Sequence, residues 1–109
     1  MKKIVELCQE RGMIFRSLKP IDLKSLGSRK RIQLFLGVDM ERYYHVLISI
    51  EKKSRILRRE AEELMGFHAK LEQSIASKIG KKCIIIKAPL CSKAMLLLRE
   101  NGWRVEVVG

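Results

Sequence analysis

The sequence has few acidic residues for its size and no long apolar run. Its 109 residues include 12 Asp and Glu against 23 Lys and Arg, which gives a net charge of +11 at pH 7. No stretch approaches the ~20 consecutive apolar residues of a membrane span. The N-terminus carries charges every few residues, where a signal peptide needs an uninterrupted apolar segment. We therefore expect a cytoplasmic protein without a membrane span.

Cysteine is also scarce. Cys8, Cys83 and Cys91 are odd in number and far apart in the sequence, which is typical of reduced thiols rather than of a disulfide framework or a zinc site. The sequence contains no glycine-rich phosphate loop, no nucleophile elbow and no metal-ligand spacing. From these residues alone we expect no cofactor, and a binding protein rather than an enzyme.

The positive charge is unevenly distributed along the chain. Residues 52–59 contain five Lys and Arg and no acid, whereas residues 60–70 are acidic on balance. A net positive charge of this size favours polyanionic partners, namely nucleic acid, an anionic membrane surface or an acidic protein. A surface that needs only solubility would mix its charges. The segregation therefore predicts a binding surface.

Hydrophobic periodicity predicts one small domain over residues 1–109. We expect an α/β (α+β) fold in the order helix, β-hairpin, α, β, α, β, in which helices pack on a single-layer mixed sheet of four to five strands. An edge strand of this sheet can pair with an edge strand of a second copy, so a dimer is one of the states that the sequence allows. The predicted elements are a helix over Lys2–Arg11, a short strand over Met13–Leu18, a connector over Lys19–Gly27, strands over Arg31–Asp39 and Tyr43–Lys53, a helix from Ser54 to about Ile79, a strand over Lys82–Lys87, a helix over Pro89–Arg99 and a strand over Trp103–Val108.

The hairpin register follows from placing both apolar faces on one side of the sheet. A tight turn over residues 41–43 puts Asp39 opposite His45, and Glu51 then lies six residues further along the second strand. At about 3.4 Å per residue, that separation is roughly 20 Å. The pairs predicted in this register are Val38 with Val46, Leu36 with Ile48, Leu34 with Ile50, Gln33 with Glu51 and Arg31 with Lys53.

This register brings basic residues from distant parts of the sequence to one end of the hairpin. Like charges opposed across strands destabilise a sheet unless something offsets them, and helix N-termini favour anions. A phosphate backbone would supply the missing negative charge. We therefore predict a nucleic-acid-binding cluster, with RNA slightly favoured over DNA. Its members are Arg29, Lys30, Arg31, Lys52, Lys53, Arg55, Arg58 and Arg59.

Several short segments resemble nucleases of the PD-(D/E)xK type, in particular archaeal Holliday junction resolvases. The resemblance is carried by IVELCQERGMIFRS, VD, IEKKSR, EELMGFHAKL and CIIIKAP. In that family an acid and a (D/E)xK pair on adjacent antiparallel strands hold a divalent metal. The resemblance implies a Mg²⁺-dependent nuclease in which Asp39, Glu51 and Lys53 form the catalytic site, with Asp39 and Glu51 as metal ligands.

Three functions remain open at this point. The first is nucleic-acid binding through the basic cluster, and the second is the metal-dependent nuclease. The third is a non-catalytic adaptor whose basic face binds an acidic protein.

Overall fold

The fold is a five-stranded mixed sheet with helices packed against it, as the sequence predicts. A computed structural model describes residue 6 and residues 8–22 and 32–108. Residues 8–10 are helical and precede the sheet. The elements that follow are β1 (Phe15–Ile21), β2 (Gln33–Asp39), β3 (Tyr44–Glu51), α1 (Arg58–Ile75), β4 (Lys81–Lys87), α2 (Ser92–Glu100) and β5 (Trp103–Val107).

The strands lie in the sheet in the same order as in the sequence. β1, β2 and β3 form an antiparallel meander, whereas β4 pairs in parallel with β3 and β5 in parallel with β4. The two parallel connections each contain a helix, because a parallel crossover needs a dozen or more residues. The mixed sheet inferred from the sequence order is therefore confirmed.

The two faces of the sheet bury different sets of side chains. One face packs on α1 and α2 through residues such as Ile48, Ile84 and Leu64, all of which are inaccessible to solvent. On the other face, Leu47 and Cys83 pack with Cys8 of the N-terminal helical segment. β4 is buried on both faces, which explains why its sequence is a continuous apolar run rather than an alternating one.

The hairpin register differs from the predicted one by two residues. Leu34 lies opposite Ile48 rather than Ile50. The turn is moved towards β2 because Asp39 Oδ1 accepts the backbone N–H groups of Glu41 at 2.9 Å and Tyr43 at 3.0 Å. A shift of two residues leaves every side chain on its predicted face, since the period of a strand is two.

Both helices begin later than predicted. Instead of starting a helix at Ser54, the chain after β3 stays extended, and Ile56 forms an isolated bridge with Leu90. That bridge also holds the chain before α2 extended, so α2 begins at Ser92 and not at Pro89. Ile56 is fully buried, and its burial stabilises the bridge at the expense of a longer α1.

β1 is longer than the short strand predicted, and it continues through Pro20 to Ile21. β1 lies at an edge of the sheet, where a proline without an N–H group is tolerated. The pairing of β1 with β2 shifts between Phe15 and Ser17, at a local irregularity. In the part of the chain that the structure describes, no helix is long and apolar enough to cross a membrane.

Candidate nucleic-acid interface

The carboxyl ends of β3 and β4 lie side by side at one end of the sheet, with Glu51 beside Lys87. The segments that leave these strands remain in contact. The backbone N–H of Ile56 donates to the carbonyl of Pro89 at 2.9 Å, and that of Cys91 donates to the carbonyl of Ile56 at 3.0 Å. α1 and α2 begin immediately after this contact. The carboxyl ends of parallel strands are where open α/β sheets usually bind ligands.

Basic side chains surround this end of the sheet, which we call the basic end. Five of them belong to the cluster predicted from the sequence. Lys87 and Lys93 were missed, because their place depends on the parallel pairing of β3 with β4. The right-handed crossover rule could have located Lys87. Within the described residues the basic end consists of Lys52, Lys53, Arg55, Arg58, Arg59, Lys87 and Lys93.

Acidic partners neutralise part of the basic end. Two of the three pairs, those of Arg58 and Lys87, are exposed. Such pairs are worth about 0–1 kcal/mol, so they hold their cations only weakly, and a phosphate group can compete for these two cations. The pair of Lys52 with Glu60 is partly buried. The pairs are Lys52 with Glu60, Arg58 with Glu62 at 3.5 Å and Lys87 with Glu51 at 3.6 Å.

Four exposed cations of the basic end have no ion pair among the residues that the structure describes: Lys53, Arg55, Arg59 and Lys93. Their mutual repulsion is relieved when a polyanion binds. The N-termini of α1 and α2 add partial positive charge in the same place. The local electrostatics therefore favour a phosphate backbone at this end of the sheet.

The other predicted members of the cluster, Arg29, Lys30 and Arg31, lie outside the described residues. The predicted pairing of Arg31 with Lys53 lies there as well. In the observed register, β2 begins at Gln33, which pairs with Ser49.

The predicted nuclease residues are placed at two different ends of the sheet. Asp39 lies at the β2–β3 turn, where its Oδ2 is 2.7 Å from Nε2 of His45. The hydrogen bond from His45, followed by that from the backbone of Tyr43, lowers the pKa of the Asp39 carboxyl. This carboxylate is already occupied as a turn cap and as a partner of the imidazole.

Glu51 and Lys53 lie at the opposite end, near Lys87. His45 and Glu51 are six residues apart on one strand, or about 20 Å at roughly 3.3 Å per residue, whereas Mg²⁺ binds its oxygen ligands at about 2.0–2.1 Å. The structure therefore does not bring Asp39 and Glu51 together. Across residues 6, 8–22 and 32–108, no group of three His, Cys, Asp or Glu side chains could hold a metal ion.

A shallow cavity of about 410 Å³ lies beside Asp39 and His45, and Lys81, Lys82 and Arg104 are among the residues that line it. Arg104 is held by other contacts, since it donates to the carbonyl of Arg11 and to the Glu106 carboxylate. This cavity is at the far end of the sheet from the basic end.

One thiol lies within the basic end. Cys91 precedes α2, and the backbone N–H groups of Ala94 and Lys93 donate to its sulfur, which lowers the pKa of the thiol. The positive charge of Arg55 acts in the same direction. By contrast, burial raises the pKa of Cys83 to about 12.

The fold is shared with solved structures of EndoMS and of a repair endonuclease. Apo EndoMS superposes with a TM-score of 0.61 at 20% identity, covering 98% of this chain and 45% of that one. EndoMS in complex with dsDNA gives 0.56 at 17% identity, covering 98% and 43%. A repair endonuclease from Pyrococcus abyssi gives 0.62 at 18% identity, covering 98% and 44%. The chain thus spans less than half the length of these proteins.

No protein-family model and no curated protein matches the chain. At 17–20% identity, the structural matches establish the fold. The expectation that RNA is the favoured nucleic acid is wrong, because one of the solved structures that share the fold is a repair endonuclease and another is a complex with dsDNA. The cytoplasmic location and the dimer through an edge strand stay predictions.

Proposed function

We propose that this chain is a DNA-binding domain that holds the phosphate backbone of duplex DNA at its basic end. The observation that carries the proposal is the set of exposed cations at the carboxyl ends of β3 and β4 that have no ion pair with any described residue. Such cations gain affinity for DNA by releasing condensed counter-ions. The fold shared with EndoMS in its dsDNA complex supports DNA as the polyanion.

The geometry is suited to contacts with the backbone rather than to base reading. Lys53 and Arg55 lie in the segment between β3 and α1, and Arg59 lies in the first turn of α1. Contacts from such groups to phosphates fix the position of a protein on DNA but carry no sequence information. We therefore expect binding with little sequence preference.

Binding is measured with a fluorescein-labelled duplex of about 20 base pairs in EDTA, by anisotropy. The variant Lys53→Glu/Arg55→Glu is expected to lose about tenfold or more in affinity, because each contact to phosphate contributes to the counter-ion release. The matched control is Lys78→Glu/Lys81→Glu, which makes the same charge change on exposed residues away from the basic end.

Equal losses in the two variants would show that net charge alone drives association and would overturn the proposed interface. An absence of DNA binding by the wild-type protein would overturn the proposed function. In that case, retention of an acidic protein in a nuclease-treated pull-down would favour the adaptor instead.

The second candidate function is metal-dependent DNA cleavage, which is favoured by the fold shared with a repair endonuclease. It is tested on supercoiled plasmid in Mg²⁺, with EDTA as the control. Cleavage that disappears in Glu51→Ala would assign Glu51 to a metal-dependent site, without Asp39.

A further inference from the structure

The β2–β3 hairpin bears directly on whether this chain can hold a catalytic metal. On two adjacent antiparallel strands, carboxylates come nearest to one another at directly opposed positions, whose Cβ atoms lie about 4.5–5.5 Å apart, and a metal site built on two such strands is best served by an opposed pair. No pair in the hairpin contains a carboxylate. The observed pairs are Gln33 with Ser49, Leu34 with Ile48, Phe35 with Leu47, Leu36 with Val46, Gly37 with His45 and Val38 with Tyr44.

One of these pairs has a side-chain oxygen on both strands, namely Gln33 with Ser49. It lies at the open end of the hairpin, on the same face as the buried Phe35 and Leu47. Glu51 follows Ser49 by two residues and therefore lies on that face as well. Gln33 and Glu51 are exposed and Ser49 is partly exposed, so the three form a polar group that a metal or DNA could reach.

The pairing of Gln33 with Ser49 changes which residues correspond to the positions of the (D/E)xK pattern. If the pattern begins at Glu51, no acid among the described residues of β2 lies opposite it. If the pattern begins at Ser49 instead, its first position lies opposite a residue of β2, Gln33. The residue types do not match, however, because Ser49 takes the place of the acid and Glu51 takes the place of the lysine. Gln33 stands in place of the acid on the neighbouring strand.

We infer that Gln33, Ser49 and Glu51 stand where the (D/E)xK pattern, read in the observed register, places a metal site, and that this chain holds no divalent metal there. The chain then keeps bound DNA intact. This assignment rests on the proposed function only in taking DNA as the bound molecule, since the metal claim depends on the hairpin alone.

The chemistry of the three side chains explains why Mg²⁺ does not fit. Mg²⁺ gives up its water reluctantly and is normally bound through carboxylates. Gln33 and Ser49 offer neutral oxygens. Glu51 is the one acid of the group, and it is paired with Lys87 Nζ at 3.6 Å. With Lys87 included, the group has no net charge, and the cations of the basic end oppose a divalent cation nearby.

The inference is tested by restoring the missing carboxylates. In Gln33→Asp/Ser49→Glu, two acids face each other across the strands, beside Glu51. Mn²⁺ binding is followed by the loss of the free-ion signal in electron paramagnetic resonance. The variant is expected to bind Mn²⁺ at least about tenfold more tightly than the wild type, because affinity rises with the number of charged ligands.

The matched control is Gln73→Asp/Ser74→Glu, which makes the same two changes on exposed residues of α1. It should bind Mn²⁺ no better than the wild type. Thermal unfolding shows whether each variant is folded. If the double variant does not fold, Ser49→Glu alone is titrated, since it adds one carboxylate two residues from Glu51.

Saturable Mn²⁺ binding by the wild type that is lost in Glu51→Gln would overturn the inference. So would a folded Gln33→Asp/Ser49→Glu variant that binds no more Mn²⁺ than its control. Mg²⁺-dependent plasmid cleavage by the wild type, abolished in Glu51→Gln, would overturn it as well. None of these results depends on DNA affinity in EDTA, so the failure of the metal assignment and the failure of the proposed function are distinguishable.

Discussion

Salt dependence gives a quantitative test of the basic end. The logarithm of the association constant for duplex DNA falls with the logarithm of salt concentration, with a slope of about −0.9 for each phosphate neutralised. If the four unpaired cations of the basic end each contact one phosphate, they contribute about −3.6 to the slope. Between 50 and 200 mM salt, this share alone lowers the association constant about 150-fold.

The change to make is Arg55→Gln/Arg59→Gln, which removes two charges and adds none. Half of the four-cation contribution should disappear, so the slope becomes shallower by about 1.8. The two lost contacts account for about a 12-fold change over the same salt range. Any contribution from Arg29, Lys30 and Arg31 is common to both proteins and cancels in the difference.

The assay is an anisotropy titration of a labelled 20-base-pair duplex at four or five KCl concentrations between about 50 and 200 mM, a range in which the slope is linear. Lys78→Gln/Lys81→Gln, which removes two exposed charges elsewhere, is the control and should leave the slope unchanged. A slope that is the same in wild type and in Arg55→Gln/Arg59→Gln would refute the placement of DNA at the basic end.

Two further predictions follow from the pKa shifts. Cys91 should react with a thiol reagent such as DTNB at pH 7–8 well before Cys83, because backbone hydrogen bonds lower the pKa of the Cys91 thiol while burial raises that of Cys83 to about 12; equal rates in the Cys91→Ser and Cys83→Ser variants would contradict this. Asp39 should stabilise the fold near neutral pH and lose this contribution in acid. Its pKa is lowered in the folded state, so the contribution is complete above the unfolded value of about 3.9 and disappears as the pH falls through the lower folded value. The difference in thermal unfolding between wild type and Asp39→Asn should therefore shrink as the pH is lowered from 6 to below about 3.9, and a difference that stays constant would contradict the assignment.

The strands of the hairpin were predictable from sequence, but their register was not. Alternation assigns Leu34, Val46 and Ile48 to one face whatever the turn, because any shift of two residues preserves the face. The turn itself depends on one side chain, since Asp39 accepts two backbone N–H groups and moves the pairing by two residues. Periodicity contains no information about that hydrogen bonding.

The basic end was predictable only in part for a similar reason. The charged residues of the segment after β3 are adjacent in sequence and could be found as a run. Lys87 joins them through strand pairing, and Lys93 through the late start of α2. That late start follows from the bridge between Ile56 and Leu90. Such contacts between distant segments override the local helix signals at Ser54 and Pro89.

The two-residue shift in the hairpin register also separates the groups needed for DNA binding from those needed for metal binding, which the sequence alone places together. In the predicted register, Glu51 faced Gln33, so an acid, a lysine and a basic cluster all met at a single place. In the observed register Gln33 faces Ser49, and Glu51 is paired with Lys87. A DNA-binding surface needs only the cations, whereas a metal site needs opposed carboxylates. The chain has the first set of groups at the basic end, and its hairpin lacks the second. DNA binding and metal binding are therefore expected to respond to different substitutions: Arg55→Gln/Arg59→Gln should lower DNA affinity in EDTA, whereas Gln33→Asp/Ser49→Glu should raise Mn²⁺ affinity.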